Sequence, residues 1–316
     1  MPSGPGYGIP SEIYNAVSGG TGDNFEINYL DPDFKLPSEW KLAAGITHYF
    51  PDDYVFSADI LISRTDNAAI VLHGDLEKTG TNEDGYPIYD SVREASFVLT
   101  NSETSSTSYS VSTALQKTFD NGVDWMISYA YTDAEDVQPM NSAVAFSNYT
   151  QRAFFDPQEQ VSSTSNYNVS HRFTTNLNYV ASFIDGYYTR FSLFGLLTEG
   201  QPYSYTFDGT INPYGFTPYL DFEEIVLRPG DNRNSENGSW WGKLDLKITQ
   251  ELPAFSDGHK STAFLVVDNF TNLLNDDWGI LNQADFPNTV GEGDLAEPRV
   301  GDASLYQIRF GVEYSF

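Results

Sequence analysis

The sequence predicts an all-β fold, a transmembrane antiparallel β-barrel present as a partial barrel of about nine long strands. Three observations predict it. Stretches in which apolar and polar residues alternate with period two recur along the chain, mostly in pairs. Tight turns within the pairs alternate with long connections between them. No apolar run of about 18 residues occurs, which removes transmembrane helices, yet aromatic residues make up 15% of the 316 residues, with 21 Tyr and 22 Phe against 3 Met. Large, flat, amphipathic side chains suit strands and water–lipid boundaries better than helical cores.

Met1 to Pro37 is rich in Gly, Pro, Asn and Asp and reads as loop, so residues 1–38 are expected to form an extracellular loop segment ahead of a barrel part, 39–316. The first pair places Trp40, Leu42, Ala44 and Ile46 on one face and Lys41, Ala43, Gly45 and Thr47 on the other. It turns at "FPDD" and returns through Tyr54, Phe56, Ala58, Ile60 and Ile62. The second runs through Tyr109, Val111, Thr113 and Leu115, turns at "FDNG" and returns through Trp125, Ile127, Tyr129 and Tyr131. The third is expected over Asn166 to Tyr179, turning near "FIDG" and returning through Phe191, Leu193 and Leu197. The fourth carries Trp240, Leu244, Leu246 and Ile248 opposite Lys243, Asp245, Lys247 and Thr249, turns at "LPAFSDGH" and returns through "STAFLVVDNF". The last strand alternates Tyr306, Ile308, Phe310, Val312, Tyr314 and Phe316 with Gln307, Arg309, Gly311, Glu313 and Ser315.

The connections His73 to Asp90, Ala134 to Ser163, Gln201 to Gly238 and Asn272 to Asp302 are long for a compact soluble domain. A membrane barrel explains their spacing, with short turns on the periplasmic side and long loops outside. Arg172, Lys243, Asp245, Lys247, Arg309 and Glu313 then face a lumen or a plug, where they form a solvated ladder. Trp40, Tyr54, Trp125, Tyr167, Trp240 and Tyr314 fall near strand ends, as interfacial girdles do.

The formal net charge of −28, from 44 acidic and 16 basic residues, repels nucleic acid and excludes it as a partner. Cysteine is absent. No G-x-S-x-G, H-E-x-x-H or phosphate-binding glycine loop occurs, and His48, His73, His171 and His259 sit in separate elements, so no enzyme, cofactor or metal site is expected. The acidic clusters Asp133, Glu135, Asp136 and Asn275, Asp276, Asp277 lack EF-hand spacing and read as solvated loop charge. Phe146, Tyr149, Phe154, Phe155, Tyr203, Tyr205, Phe207, Tyr214, Phe216 and Tyr219 crowd two of the long loops. They are candidate contact residues, with packing of the loops upon one another as the alternative.

The final strand resembles the assembly signal of Gram-negative outer-membrane proteins, with Phe310, Val312, Tyr314 and the terminal Phe316 carrying it. "VDNFTNLLNDDWG" followed by "RVGDASLYQIRFGVEYSF" resembles the end of a TonB-dependent receptor barrel. "TFDNGVDWMISYAYTDAEDVQPM", "SNYTQRAFFDPQEQ" and "SYTFDGTINPYGFTPYLDF" are similar to its Oar-like branch, whose members carry a carboxypeptidase-regulatory-like domain. The resemblance covers the chain from Asp31 onward. It implies a barrel of about 22 strands around an N-terminal plug, outer-membrane lipid and the barrel-assembly machinery as partners, and uptake of a scarce solute driven by the TonB system. This chain shows no plug and no TonB box, so it is expected to be the C-terminal portion of such a receptor. A surface adhesion barrel without transport and a passive porin are the rival expectations.

Overall fold

The computed structural model describes residues 26–91, 95–207, 213–214, 225–291 and 293–316. Nine long strands build the principal sheet: β2 (Ser38–Tyr49), β3 (Tyr54–Asp66), β8 (Ser106–Thr118), β9 (Val123–Asp136), β11 (His171–Ile184), β12 (Tyr187–Thr198), β15 (Trp241–Leu252), β16 (Lys260–Asp268) and β18 (Gln307–Ser315). They lie side by side in chain order, each antiparallel to its neighbours, and the two-residue β10 (Ser163–Thr164) pairs the end of β9. β2 and β18 are the two edges, and the sheet is open. Among the described residues no helix is long and apolar enough to cross a membrane.

The turns within pairs are short because their residues tolerate unusual backbone. Asp52 and Asp53 adopt φ of 61° and 62° between β2 and β3, a region that Asp enters more readily than most residues. Gly122 closes the β8–β9 turn at φ 84°, where an added Cβ would press on the Val180 carbonyl oxygen. The opposite ends of the strands are joined by long connections that hold their own structure. Between β3 and β8 lie β4 (Ala69–His73), β5 (Leu76–Thr81), β6 (Pro87–Ser91) and β7 (Ser96–Asn101). Helix α1 (Ala145–Thr150) follows β9. β13 (Pro202–Tyr205) and β14 (Glu236–Asn237) stand between β12 and β15, and helix α2 (Phe270–Leu274) and β17 (Thr289–Val290) between β16 and β18.

Three sequence expectations are corrected. The segment read as loop contains β1 (Ile27–Leu30), which pairs parallel with β7, Ile27 opposite Ser96 and Leu30 opposite Leu99; residues 1–25 lie outside the described residues. The strand expected from Asn166 starts at His171, because the side-chain oxygens of Asn166 and Asn168 accept from Asn234 and from the Ala134 amide at the end of β9 instead of leaving the segment to join the ladder. Lys243 and Asp245 do not meet Arg309 and Glu313, since β16 stands between β15 and β18.

The register puts all apolar alternations on one face. Leu42 lies opposite Ile62 and Ile62 opposite Tyr109; Leu115 opposite Ile127; Leu177 opposite Trp125 and Leu193; Leu193 opposite Leu246, Leu246 opposite Val267, and Val267 opposite Ile308. Among the described residues most of this face is uncovered: Leu42 is 64% exposed, Ile127 54% and Phe310 85%, whereas Val267, near the long-connection end of β16, is buried at 5%. The other face is polar and carries a ladder of hydroxyls, Ser63 with Ser108 at 2.7 Å, Ser110 with Thr132 at 3.4 Å, and Ser128 with Thr174. Its charges are Lys41, Arg172, Arg190, Lys243, Lys247, Lys260 and Arg309 against Glu39, Asp59, Asp124, Asp136, Asp245, Glu251, Asp268 and Glu313, near balance in a strongly acidic chain.

The core lies elsewhere. Among the buried apolar residues only Val267 belongs to the nine strands; the rest, from Ile70 and Val71 to Ala284 and Val290, sit in the long connections. The sheet therefore turns its apolar residues out, and the connections form a packed cap at one end.

These exposures generate a prediction. Ile127→Arg, in the middle of the apolar face, is expected to cost about 2–4 kcal/mol in a bilayer, whereas Ser112→Arg on the polar face costs under about 1 kcal/mol. Urea unfolding in lipid vesicles measures both, and equal effects would contradict a lipid-facing sheet.

Candidate functional site

The cap is built from groups distant in sequence. Val71, Tyr86, Tyr89 and Phe97 come from the first long connection, Tyr149 and Phe154 from the second, and Tyr214, Ile225 and Val226 from the third. Their rings pack as aromatic quadrupoles prefer: Tyr86 stacks on Phe155 at 4.4 Å and meets Tyr214 edge-on at 6.0 Å, and Phe97 tilts against Tyr149 at 5.3 Å. A smaller cluster joins Tyr203 to Ala284 and Val290 of the fourth connection, with Tyr205 against it. There Ser204 and Tyr205 of β13 pair in parallel with Thr289 and Val290 of β17.

Each candidate contact residue now has a place. Tyr149, Phe154 and Tyr214 are essentially inaccessible and Tyr203 is 6% exposed; Phe146, Phe155, Tyr205 and Phe207 are half-buried against the two clusters. Phe216 and Tyr219 lie outside the described residues. In this arrangement the four buried rings hold the connections to one another and present no face to a ligand. Sequence reasoning missed their partners Tyr86, Tyr89 and Phe97, whose only local signal was a run of short alternating strands.

Polar groups fasten the same layer. The buried Arg233 donates to the Asp136 carbonyl at 2.6 Å and its carboxylate at 2.7 Å, joining the third connection to the end of β9. Asn234 donates to Asn166 and to the Thr164 carbonyl, and the Val71 amide donates to Gln138. Asp136 is thereby engaged, while Glu135 accepts from Ser162 and Asn275 from the Asp277 amide. Arg152 is fully buried, 3.9 Å from Glu159, donates to the Pro157 carbonyl, and stacks over Phe154. Burial lowers the Arg152 pKa and, outweighing that cation, raises that of Glu159.

Two clefts open on the cap. One of about 270 Å³ is lined by Phe155, Glu159, Val161, Ser163, Leu227, Asp231 and Arg233. The other, about 290 Å³, lies in the fourth connection between Asp285, Phe286, Thr289, Asp294, Leu295 and Pro298, with Phe286 and Leu295 exposed at its edge. Both combine apolar walls with carboxylates, a combination suited to a solute with cationic or hydroxyl groups.

On the polar sheet face, Lys243 pairs with Asp245 at 2.9 Å, and Asp245 also accepts the Asn269 amide at the start of α2. Arg309 pairs with Asp268 across β16 and β18. Among the described residues no carboxylate lies within ion-pair reach of Arg172, Arg190 or Lys247. At the chain end, Tyr314 bonds the His259 ring at 2.8 Å, Phe316 sits 6.3 Å from that ring, and Phe316, Phe310 and Val312 remain exposed.

Two outcomes follow from the cap. Phe154→Ala is expected to destabilise it by about 3–5 kcal/mol, and hydrogen exchange should accelerate in β4 and β7 while the β11–β12 ladder keeps its protection. Burial pushes the Tyr86 hydroxyl, which donates to the Leu227 carbonyl at 2.6 Å, up to about 12. A raised folded pKa means that the folded cap holds the proton longer than the unfolded chain. Its contribution is whole below the ordinary tyrosine value and is lost as pH climbs from about 10 to about 12. Tyrosinate absorbance should show this delayed step, and Tyr86→Phe should remove it. No protein-family model matches the chain, and no curated protein matches it.

Proposed function

We propose that the chain is the C-terminal barrel portion of a TonB-dependent outer-membrane receptor, embedded in a Gram-negative outer membrane and serving energised uptake of a scarce solute. One observation carries the reading: a nine-strand antiparallel meander whose apolar face is largely exposed among the described residues. A soluble protein hides such a face, whereas a bilayer covers it. Aromatic rings at both ends of the strands support it, with Trp40, Tyr109, Phe173 and Trp240 toward the cap and Tyr54, Trp125, Tyr179 and Phe191 toward the short turns. The strands of 9–14 residues are long enough to span.

In this reading the cap faces outward, its clefts meet the solute, and the remaining strands of the receptor complete the barrel at the β2 and β18 edges. The unpaired cations Arg172, Arg190 and Lys247 face the plug. Exposed Phe310, Val312 and Phe316 act as the assembly signal. The packed cap also suits the second reading, a surface adhesion barrel, because its core gives it the solidity of a folded ectodomain. The open edges speak against a self-contained porin.

Membrane fractionation of the cell that natively makes the full-length receptor, followed by capture of that receptor on the purified periplasmic domain of TonB, tests the proposal. Outer-membrane recovery with capture is expected. Recovery from the cytoplasm would overturn it, and outer-membrane recovery without capture would transfer support to adhesion. Deleting Phe316 is expected to abolish outer-membrane accumulation, read by the same fractionation.

A further inference from the structure

The apolar sheet face carries two cations, and they are treated differently. Arg64, near the cap end, is paired with Asp66 at 3.0 Å. Lys117, next to the short β8–β9 turn, has no carboxylate within ion-pair reach among the described residues, although the chain offers 44 acidic side chains. Its ammonium instead lies 4.1 Å from the centre of the Tyr54 ring and 4.6 Å from that of Phe119. Tyr54 and Trp125 are its direct neighbours across the flanking strands, and their rings meet edge-on at 6.3 Å. A lysine on an apolar face keeps its charge at the polar boundary by extending along its stem, and the rings hold it there through their negative faces. They leave an ammonium whose remaining donors meet no anion among the described residues.

We infer that Lys117, framed by Tyr54, Phe119 and Trp125, is a binding site for the phosphate of an anionic phospholipid headgroup in the leaflet at the short-turn end. The inference rests on the bilayer reading of the apolar face. The headgroup phosphate supplies the missing counter-ion, its oxygens accept from the ammonium, and its acyl chains run along Leu115, Ile127 and Leu177 beside it. A free phosphate offers the same charge but nothing to lie on those side chains, so the lipid is the occupant.

The test uses the intact protein released from vesicles of phosphatidylcholine containing phosphatidylglycerol, with bound lipids counted by native mass spectrometry. Tryptophan quenching by brominated acyl chains is recorded on the same samples. Lys117→Gln is expected to retain phosphatidylglycerol about fivefold more weakly, the size of one basic residue at an anionic surface. Lys117→Arg keeps it, and inorganic phosphate does not displace it. Unchanged retention in Lys117→Gln with quenching intact would overturn the site and leave the bilayer reading standing. Displacement by inorganic phosphate would overturn the lipid as occupant. Absence of quenching in the unsubstituted protein would overturn the bilayer reading and this inference with it.

Discussion

The rest of the structure depends on the unbroken backbone ladder of the nine-strand meander. Each interior strand pairs on both sides, so the sheet satisfies its amides and carbonyls laterally and needs nothing above or below it. That independence lets the chain leave Leu42, Ile127 and Phe310 exposed on a face that the described residues largely leave uncovered. It also confines unpaired backbone groups to β2 and β18, the places where a sheet is open to further strands.

The cap solves a different problem. Long connections carry many backbone polar groups and would be costly to order if each stood alone. Here they share a core: Tyr86 reaches the Leu227 carbonyl, Tyr214 the Phe155 carbonyl, and Asn288 the Pro202 carbonyl. Arg233 anchors this layer to the rim of the sheet at Asp136. A layer with an ordinary buried core is thus fused to a sheet whose apolar residues are mostly exposed, and the chain passes from one pattern to the other at each strand end.

The long strands were legible because alternation is a local property. Residues from Tyr109 to Leu115, or from Tyr306 to Phe316, declare their faces without reference to any partner, and "FDNG" declares its turn. The cap was not legible for the opposite reason. Tyr86 meets its acceptor 141 residues away and Arg233 its own 97 away, and no window of sequence contains both ends of such a contact. The loop aromatics stand out in sequence as a group, yet whether they face a ligand or one another depends on those distant partners. β1 escaped notice because a four-residue strand held by parallel pairing leaves almost no periodic trace. Asn166 was misread as a strand residue because its side-chain bonds to Asn234 compete with the ladder. Lys117 showed nothing in sequence, since its meaning lies in the carboxylate it lacks.

The chain order of the cap's contributors has a kinetic consequence. Among the described residues its main cluster draws on the first three long connections and is complete by Val226, while the fourth joins through the pairing of β13 with β17, the small cluster at Tyr203 and bonds such as Ser239 to Glu297. The first cluster can close without Thr289 and Val290, so the slow search for distant contacts is divided into two shorter ones. The fourth connection completes the cap and leads directly into β18. Completion of the cap and placement of the final edge strand therefore fall on one stretch of chain.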